Sequence, residues 1–270
     1  MWRTRRLHDP TEILTYLETD RLYAAYAIGD LDPVMSQACT WAGAERSGRL
    51  QAVALHFRAL KLPALFLMGD SSGVQAILRS ELRPTRVYLT CLRQHLTASQ
   101  RYYCWEEVIP MWRMVLGTGH SQTVDQDCVR LSQAQLEQLA ALYALGGGDA
   151  FGPSQLVRGV FYGIVADGRI VAVAGTHLVS AAYGVAAIGN VFTHPNYRGR
   201  GYAKAATSHV VSELLSMGIR DIILNVSQEN HVATHLYERL GFEPYCPFLE
   251  GPARAKEALC RNLRENGNMA

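Results

Sequence analysis

Gly189-Asn190-Val191-Phe192-Thr193-His194-Pro195-Asn196-Tyr197-Arg198-Gly199-Arg200-Gly201-Tyr202-Ala203 is the stretch whose reading decides the fold. It reads as a strand, a turn marked by Pro195, and the start of a helix. Gly199 and Gly201 permit backbone angles and close approaches that a Cβ would block. The N–H groups of such a turn can converge on one anion, and the following helix adds its positive N-terminal end. Arg198, Arg200 and Lys204 bring three full charges, and no acid follows until Glu213. A basic turn with two glycines and no ligand is the competing reading of these residues alone.

Other phosphate loops fit less well. A P-loop needs Gly-Lys followed by Ser or Thr, which is missing here. The dinucleotide fingerprint is met only in part, because Gly199-x-Gly201 is followed by Lys204 and no acidic residue stands at a strand end about 20 residues on.

Working outward, the helix Ala203–Met217 places Ala203, Ala206, Val210, Val211, Leu214 and Leu215 on one face, with Gly218 as its stop. A strand at Asp221–Val226, a helix at Asn230–Leu240 and a last strand near Phe242–Phe248 follow. The tail Pro252–Arg264 reads as an amphipathic helix. Upstream, Val160–Val165 and Ile170–His177 flank Asp167-Gly168, a strong hairpin signal, and Ala186–Thr193 continues the sheet. Ser132 is placed to cap a helix over Gln133–Ala144 that buries Leu136, Leu139, Ala140 and Tyr143. Gly146-Gly147-Gly148 ends that helix as a flexible connection or a substrate lid.

The first half alternates strands and helices without obvious chemistry. A helix is expected over Thr11–Tyr26, strands at Gln51–Leu60 and Ala64–Met68, and a helix at Gly73–Arg83. Strands at Arg86–Cys91 and Glu106–Leu116 follow. Arg3, Arg5 and Arg6 read as a solvated basic terminus, with a weak docking tail as the alternative. The aromatics Tyr102, Tyr103, Trp105 and Trp112 read as core, with an acceptor-pocket lining as the alternative. The polar, glycine-containing Gly117–Gln126 marks a domain boundary.

Composition narrows the function classes. The chain has 270 residues, 49% apolar and 19% charged, enough for two modest domains with packed cores. A net charge of +2, from 26 basic and 24 acidic residues, argues against general nucleic-acid binding. Cys39, Cys91, Cys104, Cys128, Cys246 and Cys260 form no C-x-x-C pair and no zinc spacing, so reduced, buried thiols in the cytoplasm and no metal are expected. Neither a secretory signal nor an 18-residue apolar run is apparent, so no membrane span is expected.

The loop resembles that of the GNAT superfamily of acyl-CoA-dependent N-acyltransferases. That loop runs Gln or Arg, two residues, Gly, one residue, then Gly or Ala, and Arg198-Gly199-Arg200-Gly201-Tyr202-Ala203 matches it. Leu224-Asn225-Val226 and the helix Asn230–Leu240 with its Leu240-Gly241-Phe242 exit resemble the next part of the same superfamily. The resemblance covers about Cys128–Phe248. The first half looks like a degenerate copy, as in tandem GNAT proteins.

The resemblance implies an α/β fold of the α+β type, a mixed, mostly antiparallel sheet flanked by helices. It implies a degenerate GNAT-like domain over residues 1–120 and a catalytic one over 126–264. The implied activity is direct transfer of an acetyl or other acyl group from acyl-CoA to a primary amine. By the same resemblance Arg198, Gly199, Arg200, Gly201, Tyr202 and Ala203 hold the coenzyme A pyrophosphate. Val191, Phe192 and Thr193 pair with the pantetheine arm, and the Val191 N–H faces the thioester carbonyl. Asn230 touches the cofactor or caps its helix, or does both. Tyr237 protonates the departing thiolate, with a core tyrosine as the alternative. No general base is evident; His177 and His194 titrate in a suitable range. Implied acceptors are small-molecule or peptide amines, without nucleic acid or membrane, and a homodimer is left open. A non-catalytic acyl-CoA sensor is the rival reading.

Overall fold

The computed structural model describes residues 1–118, 124, 126–148 and 151–256. Its contacts divide the chain into two compact units, Met1–Met111 with the chain from Pro247 onward, and Trp112–Cys246.

In the first unit β1 (Arg3–Leu7), α1 (Pro10–Leu17), α2 (Ala25–Gly29) and α3 (Pro33–Ser36) precede β2 (Cys39–Arg46), β3 (Arg49–Phe57) and β4 (Ala64–Gly69). Then come α4 (Ser71–Ser80), β5 (Arg86–Cys91), α5 (Leu96–Tyr102) and β6 (Tyr103–Trp105). β1 to β4 pair antiparallel in sequence order. β4 and β5 are parallel, joined through α4, which Asp70 starts by accepting from the Ser72 and Gly73 amides at 2.8 and 3.0 Å. Leu65, Leu67, Val74, Ile77, Val87 and Leu89 form the core between α4 and the sheet.

The second unit carries most of β7 (Ile109–Leu116), then β8 (Val129–Arg130), α6 (Leu136–Tyr143), α7 (Gln155–Arg158), β9 (Tyr162–Ala166) and β10 (Arg169–Ser180). β11 (Val185–Thr193), α8 (Tyr202–Ser216), β12 (Asp221–Ser227) and α9 (His231–Glu238) complete it, with the start of β13 (Phe242–Ala255). Its strands run β7, β12, β11, β10, β9, β8. The β9–β10 turn uses Asp167 at φ 51° and Gly168 at φ 72°, the positive angles that a two-residue hairpin demands. Neighbouring β10 residues face opposite sides of the sheet. Ala174 joins the cluster of Ala206, Val210 and Leu214 from α8, whereas Val173 joins Leu139, Leu142 and Tyr143 from α6.

Several expectations change. The expected helix over Thr11–Tyr26 breaks into α1, a short 3-10 turn and α2, where Thr15 and Thr19 hydroxyls bond back to the Thr11 and Tyr16 carbonyls. Arg3–Leu7 is a strand paired with β2, not a solvated terminus, and Arg5 bridges Glu12 and Glu45. Pro252–Ala255 continues β13 against β5 and is not helical; Ala253 and Ala255 are buried with Arg254 exposed between them. From Glu257 on, that tail lies outside the described residues. Ala140 is exposed and Leu142 takes its place in the core. Cys104 is exposed and only Cys91 is fully buried among the described cysteines, while Cys260 lies outside them.

Candidate functional site

β11 and β12 are parallel neighbours only from Val185↔Asp221 to Ile188↔Leu224. β11 continues to Thr193 and β12 to Ser227, so the two strands part company and leave one β11 edge unpaired. On its other side β11 stays registered with β10, through Val173↔Phe192 and Ala172↔Thr193. The His194 amide reaches the Val171 carbonyl at 2.8 Å. Backbone groups alternate along an antiparallel ladder. Those of Phe192 therefore point to β10, and those of Val191 and Thr193 point to the open side. The Arg198 Nε bond to the Thr193 carbonyl, at 3.3 Å, agrees with that direction.

α8 begins at the end of this opening. Gly199 and Gly201 stand at φ 74° and 79°, which L side chains rarely adopt, and a Cβ on either would meet open space. Gly201 is the N-terminal cap, yet no side chain accepts from the first turn and no acid lies in it. The free amides of Tyr202, Ala203 and Lys204 therefore face outward with the positive end of the helix dipole. Elsewhere Asp9, Asp70 and Asn230 side chains fill the corresponding place on α1, α4 and α9.

The cations lie folded beside this cradle. Arg198 sits 5.8 Å over the Phe192 ring, and Arg200 lies 5.0 Å over Tyr197 while donating to the Asn196 carbonyl at 3.4 Å. Asn230 caps α9 by accepting from the Ala233 amide at 3.1 Å. Thr193 Oγ1 and Asn225 Oδ1, on the two diverging strands, are buried without a hydrogen-bond partner among the described residues.

Tyr237 lies on α9, 8% exposed, in the cluster with Leu224, Val226 and Phe242. Burial pushes its phenol up to about 12, so it is neutral near pH 7. His177 departs from expectation. Burial pulls its imidazole down to about 4, against a weaker opposing hydrogen bond that the ring donates to the Asn190 side chain, so it is neutral and a poor base. His194 spends Nδ1 on the Asn196 amide, capping the short turn Pro195–Tyr197.

The glycine run has a packing reason. A Cβ on Gly147 would press into the Phe192 ring, and one on Gly148 into Tyr143. Sequence reasoning also passed over Asn190, Tyr143 and Gln155. The Tyr143 hydroxyl donates to the Asn190 carbonyl at 2.6 Å, and Asn190 Nδ2 donates to Gln155 Oε1 at 3.1 Å. The available signal was Gly-Asn inside an apolar strand, which marks a bulge.

Residues 135–242 match the family described as the Acetyltransferase (GNAT) family. Over 47 residues the chain is 47% identical to the uncharacterized N-acetyltransferase YycN of Bacillus subtilis; the match covers 17% of this chain and 30% of that relative. A putative GNAT-family acetyltransferase from Novosphingobium aromaticivorans superposes with a TM-score of 0.61 at 22% identity, over 84% of this chain and 96% of that one. A tandem GNAT protein from the clavulanic acid biosynthesis pathway gives 0.56 at 12% identity, over 94% and 98%. A Drosophila protein gives 0.69 at 13% identity, over 92% and 98%. The structural likenesses establish the fold, and the match to the GNAT family model covers residues 135–242 of this chain.

Proposed function

We propose that this chain is an N-acyltransferase that moves an acetyl or other acyl group from acyl-CoA directly to a primary amine, on a small molecule or a peptide. The observation that carries this reading is the parting of β11 from β12 after Ile188↔Leu224, with an uncapped, acid-free helix start at the end of the same strand. The fit to coenzyme A rests on the open space at Gly199 and Gly201 and on the unpartnered Thr193 and Asn225 oxygens. Acyl-CoA, when bound, supplies an acyl thioester that an amine can attack.

The residues divide the work. Amides of Gly199–Ala203 hold the pyrophosphate, with Arg198 and Arg200 swinging from their aromatic rests to add charge. Phe192 keeps β11 on β10, while Val191 and Thr193 offer backbone groups to the pantetheine arm. The Val191 N–H donates to the thioester oxygen, where negative charge grows as the amine attacks. Asn230 fixes the start of α9, which carries Tyr237. The neutral Tyr237 phenol gives its proton to the departing sulfur. Its burial makes it a weaker acid than a free phenol, so the transfer accompanies C–S cleavage rather than preceding it. With His177 held neutral and His194 engaged, the amine loses its proton to water.

Residues 1–120 are read as a degenerate GNAT-like copy and 126–264 as the catalytic domain, in a cytoplasmic protein. In support, each unit holds one parallel pair joined through a helix, β4–α4–β5 and β11–α8–β12, and each pair spans four registered positions. The first copy has only Asp70 between strand and helix, and the Asp70 carboxylate fills the helix start itself. The burial of Tyr237 among core residues favours one rival, a module that binds acyl-CoA without turnover.

Thiol release from acetyl-CoA, measured against amino acids, polyamines and peptide N-termini, separates the two. Amine-dependent release supports the transferase. Binding with no release on any amine supports the rival.

A further inference from the structure

The opening between β11 and β12 has a closed end. Ile188 and Leu224 are paired there, and paired strands lie about 4.8 Å apart. An extended ligand between two strands needs about twice that spacing, so none passes the Ile188–Leu224 pair. On the other side of β11, Thr176 to Val173 cover the distance from Ile188 to Phe192. Val191 therefore stands about two strand steps, or ~7 Å, beyond Ile188. With its thioester oxygen at the Val191 amide and its pantetheine arm toward Thr193, an acyl-CoA points its acyl chain back at Ile188. Subtracting a contact distance of about 3.5–4.0 Å leaves roughly 3 Å, room for about two carbons past the carbonyl.

A longer chain has to leave the plane of the sheet. The α8 face is closed by Ile188 and Leu224, 2% and 1% exposed, in one cluster with Val226 and Tyr237. On the α6 face, Gly175 and Gly189 are registered partners, and neither brings a side chain to the hollow between them. Two rings fill it. A Cβ on Gly175 would meet the Phe161 ring, and one on Gly189 would meet the His177 ring. Of the two, His177 is the ring that covers β11, the strand bordering the opening.

His177 is held in that place. It is an extra residue on β10 between the pairs Thr176↔Ile188 and Leu178↔Ala187, an irregularity that re-aims a side chain. Its carbonyl accepts from Gln155 Nε2 at 3.3 Å, and its ring donates to the Asn190 side chain. The ring is neutral, so it bounds an apolar chain by shape. We propose that His177 is the specificity-determining residue for the acyl group: its ring over Gly189 blocks the exit that a chain longer than propionyl would need. This rests on the acyltransferase reading above and restricts its donor to short acyl thioesters.

The test titrates free coenzyme A, acetyl-CoA, butyryl-CoA and hexanoyl-CoA into the full chain by calorimetry, and into His177→Ala and His177→Phe. Each thioester is then followed in the thiol-release assay. In the unaltered chain hexanoyl-CoA should bind at least about tenfold more weakly than acetyl-CoA, the least that a closed pocket exacts for one surplus methylene. His177→Ala should shrink that difference to below about threefold, the exit being open. His177→Phe, which fills the same space with a larger ring, should preserve it. If His177→Ala does not fold, His177→Asn, smaller than His and still able to donate to Asn190, should shrink the difference in the same direction. Equal affinity for hexanoyl-CoA and acetyl-CoA in the unaltered chain overturns the inference and leaves the acyltransferase reading standing. So does a folded His177→Ala or His177→Asn that keeps the full difference. Absence of acetyl-CoA binding in the unaltered chain overturns the acyltransferase reading together with the inference.

Discussion

Ile188 and Leu224 are the last registered partners of two parallel strands that both run on past them. Both side chains are buried in the cluster beneath α8, which anchors the strands up to the point of divergence. A cleft in a sheet normally exposes orphaned backbone groups. Here those groups belong to Val191 and Thr193, next to the helix start that has no cap, so one extended, anionic ligand can satisfy both.

Tyr237→Phe removes only a hydroxyl from a ring that packs edge-on against Phe242 at 6.1 Å. Turnover should fall by about 10² to 10⁴, the usual worth of a positioned acid, with acetyl-CoA affinity and melting temperature near those of the unaltered chain. Steady-state kinetics beside calorimetry decides it. A variant that loses affinity and turnover equally assigns Tyr237 to packing.

Gly189→Ala should destabilise the fold, because its Cβ would overlap the buried His177 ring. Overpacking of this kind costs roughly 1–3 kcal/mol. Denaturant unfolding measures it, and a change below about 0.5 kcal/mol, ordinary for a surface site, would contradict the packing described here.

Stability should also depend on pH through Asp30. Burial raises its carboxyl from the ordinary 3.8 to about 8. Between those values the folded chain keeps a proton that the unfolded chain has released. The contribution is therefore whole at low pH and is lost as pH rises through that window. Asn at position 30 carries no such penalty. The melting temperature of Asp30→Asn, relative to the unaltered chain, should climb from pH 4 to pH 8; a constant difference across that range would refute the assignment.

The parts of the molecule legible in sequence are those in which one residue type answers one local demand. Gly199, Gly201 and Gly168 all stand at positive φ, and the loop and the hairpin turn could be read from them. The loop sits at the end of β11 as expected, because Pro195 ends the strand and Ala205 and Ala206 let α8 lie close to the sheet. What stayed hidden depends on partners distant in sequence. Tyr143 is 47 residues from Asn190, and Gln155 is 35, so no local pattern joins them. β1 is hard to read because Arg3-Thr4-Arg5-Arg6 is polar on both faces, and the ion pair of Arg5 reaches Glu45 on β2, 40 residues away. The tail Pro252–Arg264 suited a helix as a whole, but its first four residues, Pro252–Ala255, continue β13 and are too few for their own period to decide.

The central claim is that the turn before α8 is an acyl-CoA pyrophosphate cradle. Calorimetric titration of acetyl-CoA into the full chain, Gly201→Ala and Gly201→Glu tests it most directly. Both variants share the strain of a side chain at φ 79°, but only Glu adds a negative charge at the helix start. The account predicts binding in the unaltered chain, modest weakening in Gly201→Ala, and a loss of at least about 100-fold, or about 2.7 kcal/mol, in Gly201→Glu. Equal affinity in Gly201→Glu and the unaltered chain would contradict it.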